Sequence, residues 1–187
     1  MQTPILIVPG WQNSGPAHWQ SLWERDNQAC SRVVQSNWDA PDRDDWVATL
    51  DRAIEAAPIR PVVVAHSLGC VTVAHSANEY DRGATSRLAG ALLVAPADVE
   101  ESIAARSLEA FAPIPMVCFR FPSILVGSHN DQYATFQRAS HFAASWGAEL
   151  VDAGHAGHIN VDAGFGPWPA CEKLLERLFR SHPSKSV

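Results

Sequence analysis

Short apolar runs alternate along the chain with segments of helical period. The run "PILIVPG" (residues 4–10) is continuously apolar and ends in Pro-Gly, as expected of a buried strand. "SRVVQSNW" (31–38), "RPVVVAHS" (60–67), "LAGALLVAPAD" (88–98), "FPSILVGSHND" (121–131) and "AELVDAGHAGHIN" (148–160) read as five further strands, several with the loop that follows. Between them, residues 15–29 place Trp19, Leu22 and Trp23 at helical spacing, with Ser14 available as a cap and Pro16 near the first turn. Residues 42–57 open with Asp42, Asp44 and Asp45, which suit a helix N-terminus, and then repeat Trp46, Leu50 and Ile54 every four residues. Residues 68–80 are mostly apolar, as in a central helix; residues 135–147 form a helix stopped by Gly147, and 168–182 a closing helix with Pro169 in its first turn. The least regular stretch is 99–120, where "EESIAARSLEAF" can form a helix and "APIPMVCFRF" reads as an excursion back to the next strand.

Strands that are mostly apolar on both faces and alternate with helices predict a parallel sheet covered on both sides. With right-handed crossovers, the fold class is α/β: a three-layer, doubly wound, mostly parallel six-stranded sheet. No internal repeat, low-complexity segment or linker divides the chain, so one domain over 1–182 and a C-terminal tail over 183–187 are expected. The stretch 99–120 must also carry a crossover, which leaves little chain for a lid.

Such sheets hold their sites at the C-terminal ends of the strands. The polar residues expected there are Ser67 after the third strand, Asp98 after the fourth, Asp131 after the fifth, and His155 and His158 after the last. Serine, acid and histidine thus occur in the chain order of α/β-hydrolases. "AHSLG" (65–69) suits the sharp strand-to-helix turn that exposes a nucleophilic serine, since Ala65 and Gly69 are small enough for it; alanine at the first position adds one methyl to the usual glycine. The bland alternative for Ser67 is a helix-capping serine. Asp98 stands as an alternative acid. His158 is preferred over His155 because Gly157 allows a close approach. The oxyanion donors would be backbone N–H groups of Leu68 and Trp11. Gly10, His18, Phe165 and Trp168 are candidate substrate-binding residues, and Phe111 a further candidate wall. His66 is expected to pack beside the turn, His75 and His141 to be surface or boundary residues, and most of the seven tryptophans to be core.

Composition narrows the function class. The 187 residues are 47% hydrophobic and 18% charged with a net charge of −6, and show no basic stripe for nucleic acid. No apolar run is long enough to span a bilayer, and the N-terminus does not read as a signal peptide, so a cytoplasmic enzyme with no membrane association is expected. Cys30, Cys70, Cys118 and Cys171 lack metal-ligand or CxxC spacing and read as reduced thiols. No metal-ligand set or glycine-rich phosphate loop is present, so neither metal nor cofactor is expected.

The segments "VPGWQNSGPAHWQSLWE", "AHSLGC", "APAD", "FPSILVGSHNDQY" and "AGHINVDAGFGPWP" together resemble the small α/β-hydrolases of the YdeN and retinoblastoma-binding-protein type, over nearly the whole chain. The last segment, with Gly157-His158-Ile159-Asn160, is the most specific. The resemblance implies a minimal serine hydrolase with Ser67, Asp131 and His158 as its triad. Gln132 departs from the proline that often follows the acid in that family. The expected activity is cleavage of a small-acyl ester, with thioester, amide or acyl-transfer chemistry open to the same triad. The expected partner is a small acyl substrate; the sequence names no protein partner. The reading from another class is a binding protein on a hydrolase scaffold, weakly catalytic or inert.

Overall fold

The computed structural model describes residues 2–78, 84–101 and 108–181. Strands β1 (Ile5–Val8), β2 (Cys30–Arg32), β3 (Val62–His66), β4 (Gly90–Val94), β5 (Ser123–Gly127) and β6 (Glu149–Asp152) form one sheet in the order β2-β1-β3-β4-β5-β6. Every pairing is parallel. Helices α1 (Trp19–Asp26), α2 (Arg43–Ala56), α3 (Leu68–Asn78), α4 (Phe136–Trp146) and α5 (Pro169–Ser181) alternate with the strands.

The period-2 geometry of the strands sorts their side chains into two cores. Leu6, Val8, Val63, Ala65, Leu93 and Leu125 face α2, α3 and α4. Ile5, Ile7, Val62, Val64, Leu92 and Val126 face α1 and α5. With both faces covered, β1, β3, β4 and β5 are buried at every position, as their apolar runs require. The three-layer, doubly wound architecture is therefore the one the sequence implies.

Several boundaries differ from the sequence reading, each for a local reason. The second strand stops at Arg32, well short of residue 38. It is an edge strand paired only with β1, whose own ladder ends at Pro9-Gly10, so Val34 has no partner and is 67% exposed. Helix α1 begins at Trp19, and its cap is His18, whose Nδ1 accepts the Gln20 N–H, instead of Ser14. The Ser14 hydroxyl is turned to Gln20 Oε1 at 2.6 Å. The last strand, β6, is the opposite edge and is largely exposed, unlike the apolar strands it was grouped with. Other ends match their signals: Asp42 caps α2 by accepting the Asp45 N–H, and Gly147 ends α4 at φ 69°. The expected helix over 100–111 falls largely on residues 102–107, outside the described residues. So do residues 79–80 and 182, the ends of two expected helices, and the tail 183–187.

Strand order reverses direction at β1: the chain passes to β2 on one side and returns to β3 on the other. The loops leaving β1 and β3 therefore diverge and open a crevice at the switch point. The entry of α3 into that crevice is tight. A Cβ on Gly69 would lie 2.4 Å from the Val8 carbonyl oxygen and 2.7 Å from that of Pro9. Both are backbone atoms and cannot swing aside. Gly69→Ala is expected to cost about 1–3 kcal/mol by overpacking. Gly15→Ala, where an added Cβ meets nothing within 4 Å, leaves stability unchanged. Thermal denaturation of the two variants checks this, and equal melting temperatures would contradict it.

Candidate active site

Ser67 sits between β3 and α3 with φ 56°, in the left-handed region. A non-glycine residue there costs on the order of 1–3 kcal/mol and persists only where its surroundings impose it. The Ser67 N–H is held by the Val94 carbonyl at 3.0 Å, and the Ser67 carbonyl accepts from Cys70 N–H at 3.0 Å. The turn raises the serine above the sheet at the N-terminus of α3. Ala65, two residues earlier, is fully buried with its methyl in the core, so this strand position holds the extra carbon that Gly69 cannot.

The loops after β5 and β6 meet over this serine. His158 Nε2 lies 2.9 Å from Ser67 Oγ. Its Nδ1 lies 2.9 Å from each carboxylate oxygen of Asp131. Asp131 Oδ1 also accepts the Tyr133 N–H at 2.8 Å. The side chains of His158 and Asp131 are 7% and 3% exposed. With Asp131 bonded to Nδ1–H, the remaining nitrogen faces the serine hydroxyl as an acceptor. The competing candidates are engaged elsewhere. Asp98 is buried and pairs with Arg138 at 3.1 Å, and Arg138 also holds Glu100. His155 is exposed and stacks on His129, with ring centroids 5.7 Å apart.

Interactions that hold the histidine loop escaped the sequence reading. The Ser128 hydroxyl accepts the Ala156 N–H at 2.9 Å, and Asn130 Oδ1 accepts the Gly157 N–H at 2.7 Å. Both residues lie just before Asp131 in its loop, so one loop aligns the other. The "SHND" turn composition was the available signal for them. From beneath, His66 Nε2–H donates to the His158 carbonyl at 2.9 Å, and Trp19 Nε1–H to the Ile159 carbonyl at 2.9 Å. The Tyr133 ring lies 4.4 Å from that of His158.

The loop after β1 forms the other wall. Gly10 is pressed against Ser67: a Cβ there would lie 2.7 Å from Ser67 Cβ and 3.2 Å from Leu68 N. The Gly10–Trp11 peptide thus lies beside the first N–H of α3. Among the described residues, no backbone carbonyl accepts from the N–H of Trp11 or of Leu68. The Trp11 ring is anchored outward by Nε1–H to the Asp39 carbonyl at 3.0 Å.

The remaining candidates lie lower in the layers. His18 is buried against His66, centroids 4.9 Å apart. Trp168 packs edge-on against Trp19 at 5.4 Å and against Phe165 at 5.3 Å. Trp168 also lines a groove of about 1310 Å³ between α1 and α5 that reaches the starting ends of β1 and β3; neither Ser67 nor His158 lines it. Phe111 is fully buried against Trp46, so it supplies core and not an open wall. The four cysteines are free thiols, with Cys30, Cys70 and Cys171 buried and Cys118 exposed. Among the described residues no group of three or more His, Cys, Asp or Glu side chains is placed to hold a metal, and no helix is long and apolar enough to cross a membrane.

Burial sets the charge of two histidines in this cluster. It lowers the His18 pKa to about 4, helped by the charges of Arg32 and His158. It holds His66 well below the usual imidazole value, again with His158 adding to the effect. In the unfolded chain both would titrate near 6.5. Between pH 6.5 and about 4 the unfolded state therefore binds protons that the folded state does not, and stability falls as pH falls. Each histidine contributes a slope of up to about 1.4 kcal/mol per pH unit in that window. His18→Asn keeps a capping acceptor without the titration, so its stability declines less steeply from pH 6.5 to 4. Urea denaturation across that range measures the slopes, and identical slopes would contradict the assignment.

A family model described as serine hydrolase matches residues 5–177. A YdeN-like hydrolase from Pectobacterium atrosepticum is 35% identical, with 97% of this chain and 94% of that chain covered and a TM-score of 0.83. The ydeN gene product of B. subtilis is 23% identical over 96% of this chain and 100% of its own, with a TM-score of 0.76. A monoacylglycerol lipase of Paleococcus ferrophilus shares the fold at 13% identity, with 97% of each chain covered and a TM-score of 0.64. No curated protein matches the sequence.

Proposed function

We propose that this chain, which belongs to the serine hydrolase family and is a small hydrolase of the YdeN type, cleaves small-acyl esters through a Ser67–His158–Asp131 triad and an acyl-enzyme intermediate. The observation that carries the reading is the continuous relay from Ser67 Oγ through both ring nitrogens of His158 to Asp131, every link at 2.9 Å. In the proposed cycle, Ser67 Oγ attacks the acyl carbonyl while His158 Nε2 takes its proton. Asp131 keeps the proton-bearing nitrogen at Nδ1 and stabilises the imidazolium. The negative charge on the former carbonyl oxygen is received by the N–H groups of Leu68 and Trp11. Collapse expels the alcohol, which takes the proton from His158. Water then repeats the sequence on the acyl-enzyme, and Ser67 is regenerated with release of the acid.

The preference for short acyl groups rests on the lack of a large lid among the described residues. Among the described residues between β4 and β5, the regular element is the 3-10 turn Glu109–Phe111, and its Phe111 is buried. The site is then walled mainly by the Trp11 loop and Tyr133. Each buried methylene contributes roughly 0.8 kcal/mol, and an open site stops gaining after a few carbons. Acetyl to butyryl esters are expected to turn over better than dodecanoyl esters, without activation at a lipid interface. A steady rise in kcat/KM to long chains, measured below their aggregation limit, would contradict this.

The triad is tested by covalent labelling and substitution. A fluorophosphonate probe should add its mass to the peptide containing Ser67, and Ser67→Ala should not label. His158→Ala is expected to abolish ester turnover while His155→Ala retains most of it. Asp131→Asn is expected to lower kcat by on the order of 10⁴, through the wrong histidine tautomer, and Asp98→Asn by far less. A native protein that stays unlabelled beside a labelled control esterase would replace this reading with the binding-scaffold one.

A further inference from the structure

We infer that Arg32, on the edge strand β2, is a positioning residue for the loop that presents the Trp11 N–H to the oxyanion. The inference rests on the proposed role of that N–H. It starts from backbone strain in the loop. Gln12 and Asn13 follow Trp11 with φ 63° and 65°, two consecutive non-glycine residues in the left-handed region. Each is unfavourable on its own, so the conformation must be imposed by surrounding contacts. Two backbone hydrogen bonds help, from Gln12 N–H to the Trp38 carbonyl at 3.0 Å and from Asn13 N–H to the Gly10 carbonyl at 3.1 Å.

Asn13 Oδ1 also accepts the Ser14 N–H at 2.8 Å, and a further restraint comes from one guanidinium. Arg32 stands opposite Ile7 in the β1–β2 ladder. Its Nη1 donates to Asn13 Oδ1 at 2.5 Å and to the Ser14 carbonyl at 3.1 Å. Its Nη2 donates to Ser21 Oγ at 2.7 Å, and that hydroxyl donates in turn to the Ser14 carbonyl at 2.8 Å. Its Nε donates to Glu24 Oε2 at 2.8 Å. The side chain is only 12% exposed. A planar fork with fixed donor directions thus joins β2, the strained loop and two turns of α1. The far end of the loop is fastened as well. The Ser14 hydroxyl donates to Gln20 Oε1 at 2.6 Å, and Gln20 Nε2 donates to the Val8 and Val64 carbonyls at 3.3 and 3.1 Å. Those carbonyls belong to the two strands that carry the oxyanion loop and the nucleophile. The Trp11 N–H is therefore placed relative to Ser67 by a rigid polar frame, with Arg32 as its bridge to the loop side chain.

This role differs from a plain ion pair with Glu24. A structural pair affects stability, whereas a positioning residue affects the state in which the oxyanion is formed. The discriminating probe is a short alkyl trifluoromethyl ketone. Ser67 Oγ adds to its carbonyl carbon, the serine proton passes to His158, and the resulting oxyanion occupies the hole. We expect Arg32→Met to lower kcat for a butyryl ester by about tenfold to a hundredfold, the size of effect that follows misplacement of a catalytic group. KM changes less than about twofold, and the ketone binds more weakly in proportion to kcat, because the lost interaction belongs to the transition state. Arg32→Lys recovers part of the loss. Asn13→Gly removes the side-chain acceptor that Arg32 Nη1 shares with the Ser14 N–H, leaves the Arg32 contact to the Ser14 carbonyl, and tolerates the positive φ. It reproduces much of the defect, and the double variant Arg32→Met/Asn13→Gly is no worse than Arg32→Met alone. Glu24→Gln retains the loop contacts, so it lowers the melting temperature without the loss of kcat.

A folded Arg32→Met with native kcat and native ketone affinity would overturn the inference, as would a loss confined to melting temperature. If Arg32→Met does not fold, Asn13→Gly decides, because its site is an exposed loop. Native ketone affinity in that variant overturns the proposal. A different result, in which the native protein neither labels at Ser67 nor binds the ketone, removes the oxyanion reading itself and with it the need for the loop to be placed.

Discussion

The contact between the first turn of α3 and the end of β1 governs the geometry around Ser67. Gly69 lies so close to the Val8 and Pro9 carbonyls that no side chain fits. That approach draws the N-terminus of α3 beneath the β1 loop and leaves Ser67 in a left-handed turn. Gly10 on the opposing loop then packs directly on Ser67 Cβ. Two backbone segments meet with no side chain between them, which is the close approach that the proposed pair of oxyanion donors requires. A larger residue at either glycine would separate Ser67 from the β1 loop, and so from the proposed oxyanion donors, whatever became of the His158 and Asp131 side chains.

The relay on the other side is built differently. His158 comes from a loop beyond β6, the most exposed strand of the sheet, so the sheet alone does not hold it in place. Its alignment comes from cross-loop hydrogen bonds: Ser128 and Asn130 to residues 156–157, His66 to the His158 carbonyl and Trp19 to the next carbonyl. The Asp131 loop and the strand leading to Ser67 thereby grip the backbone of His158.

Much of this was legible in the sequence because it rests on periodicity and on residues that the elbow demands. Buried strands such as β3 and β5 are apolar at nearly every position, which only a doubly covered sheet allows. Ser67, Asp131 and His158 follow the ends of β3, β5 and β6 in one chain order, and the structure brings the three side chains together. What was illegible depends on contacts distant in sequence. Ser14 has the chemistry of a helix cap, but a buried glutamine six residues on recruits its hydroxyl, and His18 caps α1 instead. The run 31–38 is β-prone, but an edge strand extends only as far as its neighbour's ladder. Phe111 lies near enough in sequence to the β4 loop to suggest a wall, yet Trp46 from α2 draws it into the core. Arg32 carried no motif at all; its significance appears only when β2, the loop and α1 are seen together.

The row of rings His18, His66 and His158, with successive centroids 4.9 and 4.8 Å apart, imposes an order on charge. Three imidazoles in contact would otherwise share any proton delivered to the site. Burial depresses the first two, and each cation on the row disfavours a second. Burial keeps both neutral, and their hydrogen bonds set the tautomer: His18 accepts at Nδ1 from a backbone N–H, and His66 donates at Nε2 to a backbone carbonyl. Of the three, His158 alone has a carboxylate against its ring among the described residues. On the proposed cycle, the proton taken from Ser67 therefore has one favourable resting place, directly between the nucleophile and the departing alcohol. The same burial that makes the two inner histidines costly to protonate, and so weakens the fold in acid, keeps the transferred proton where it is needed.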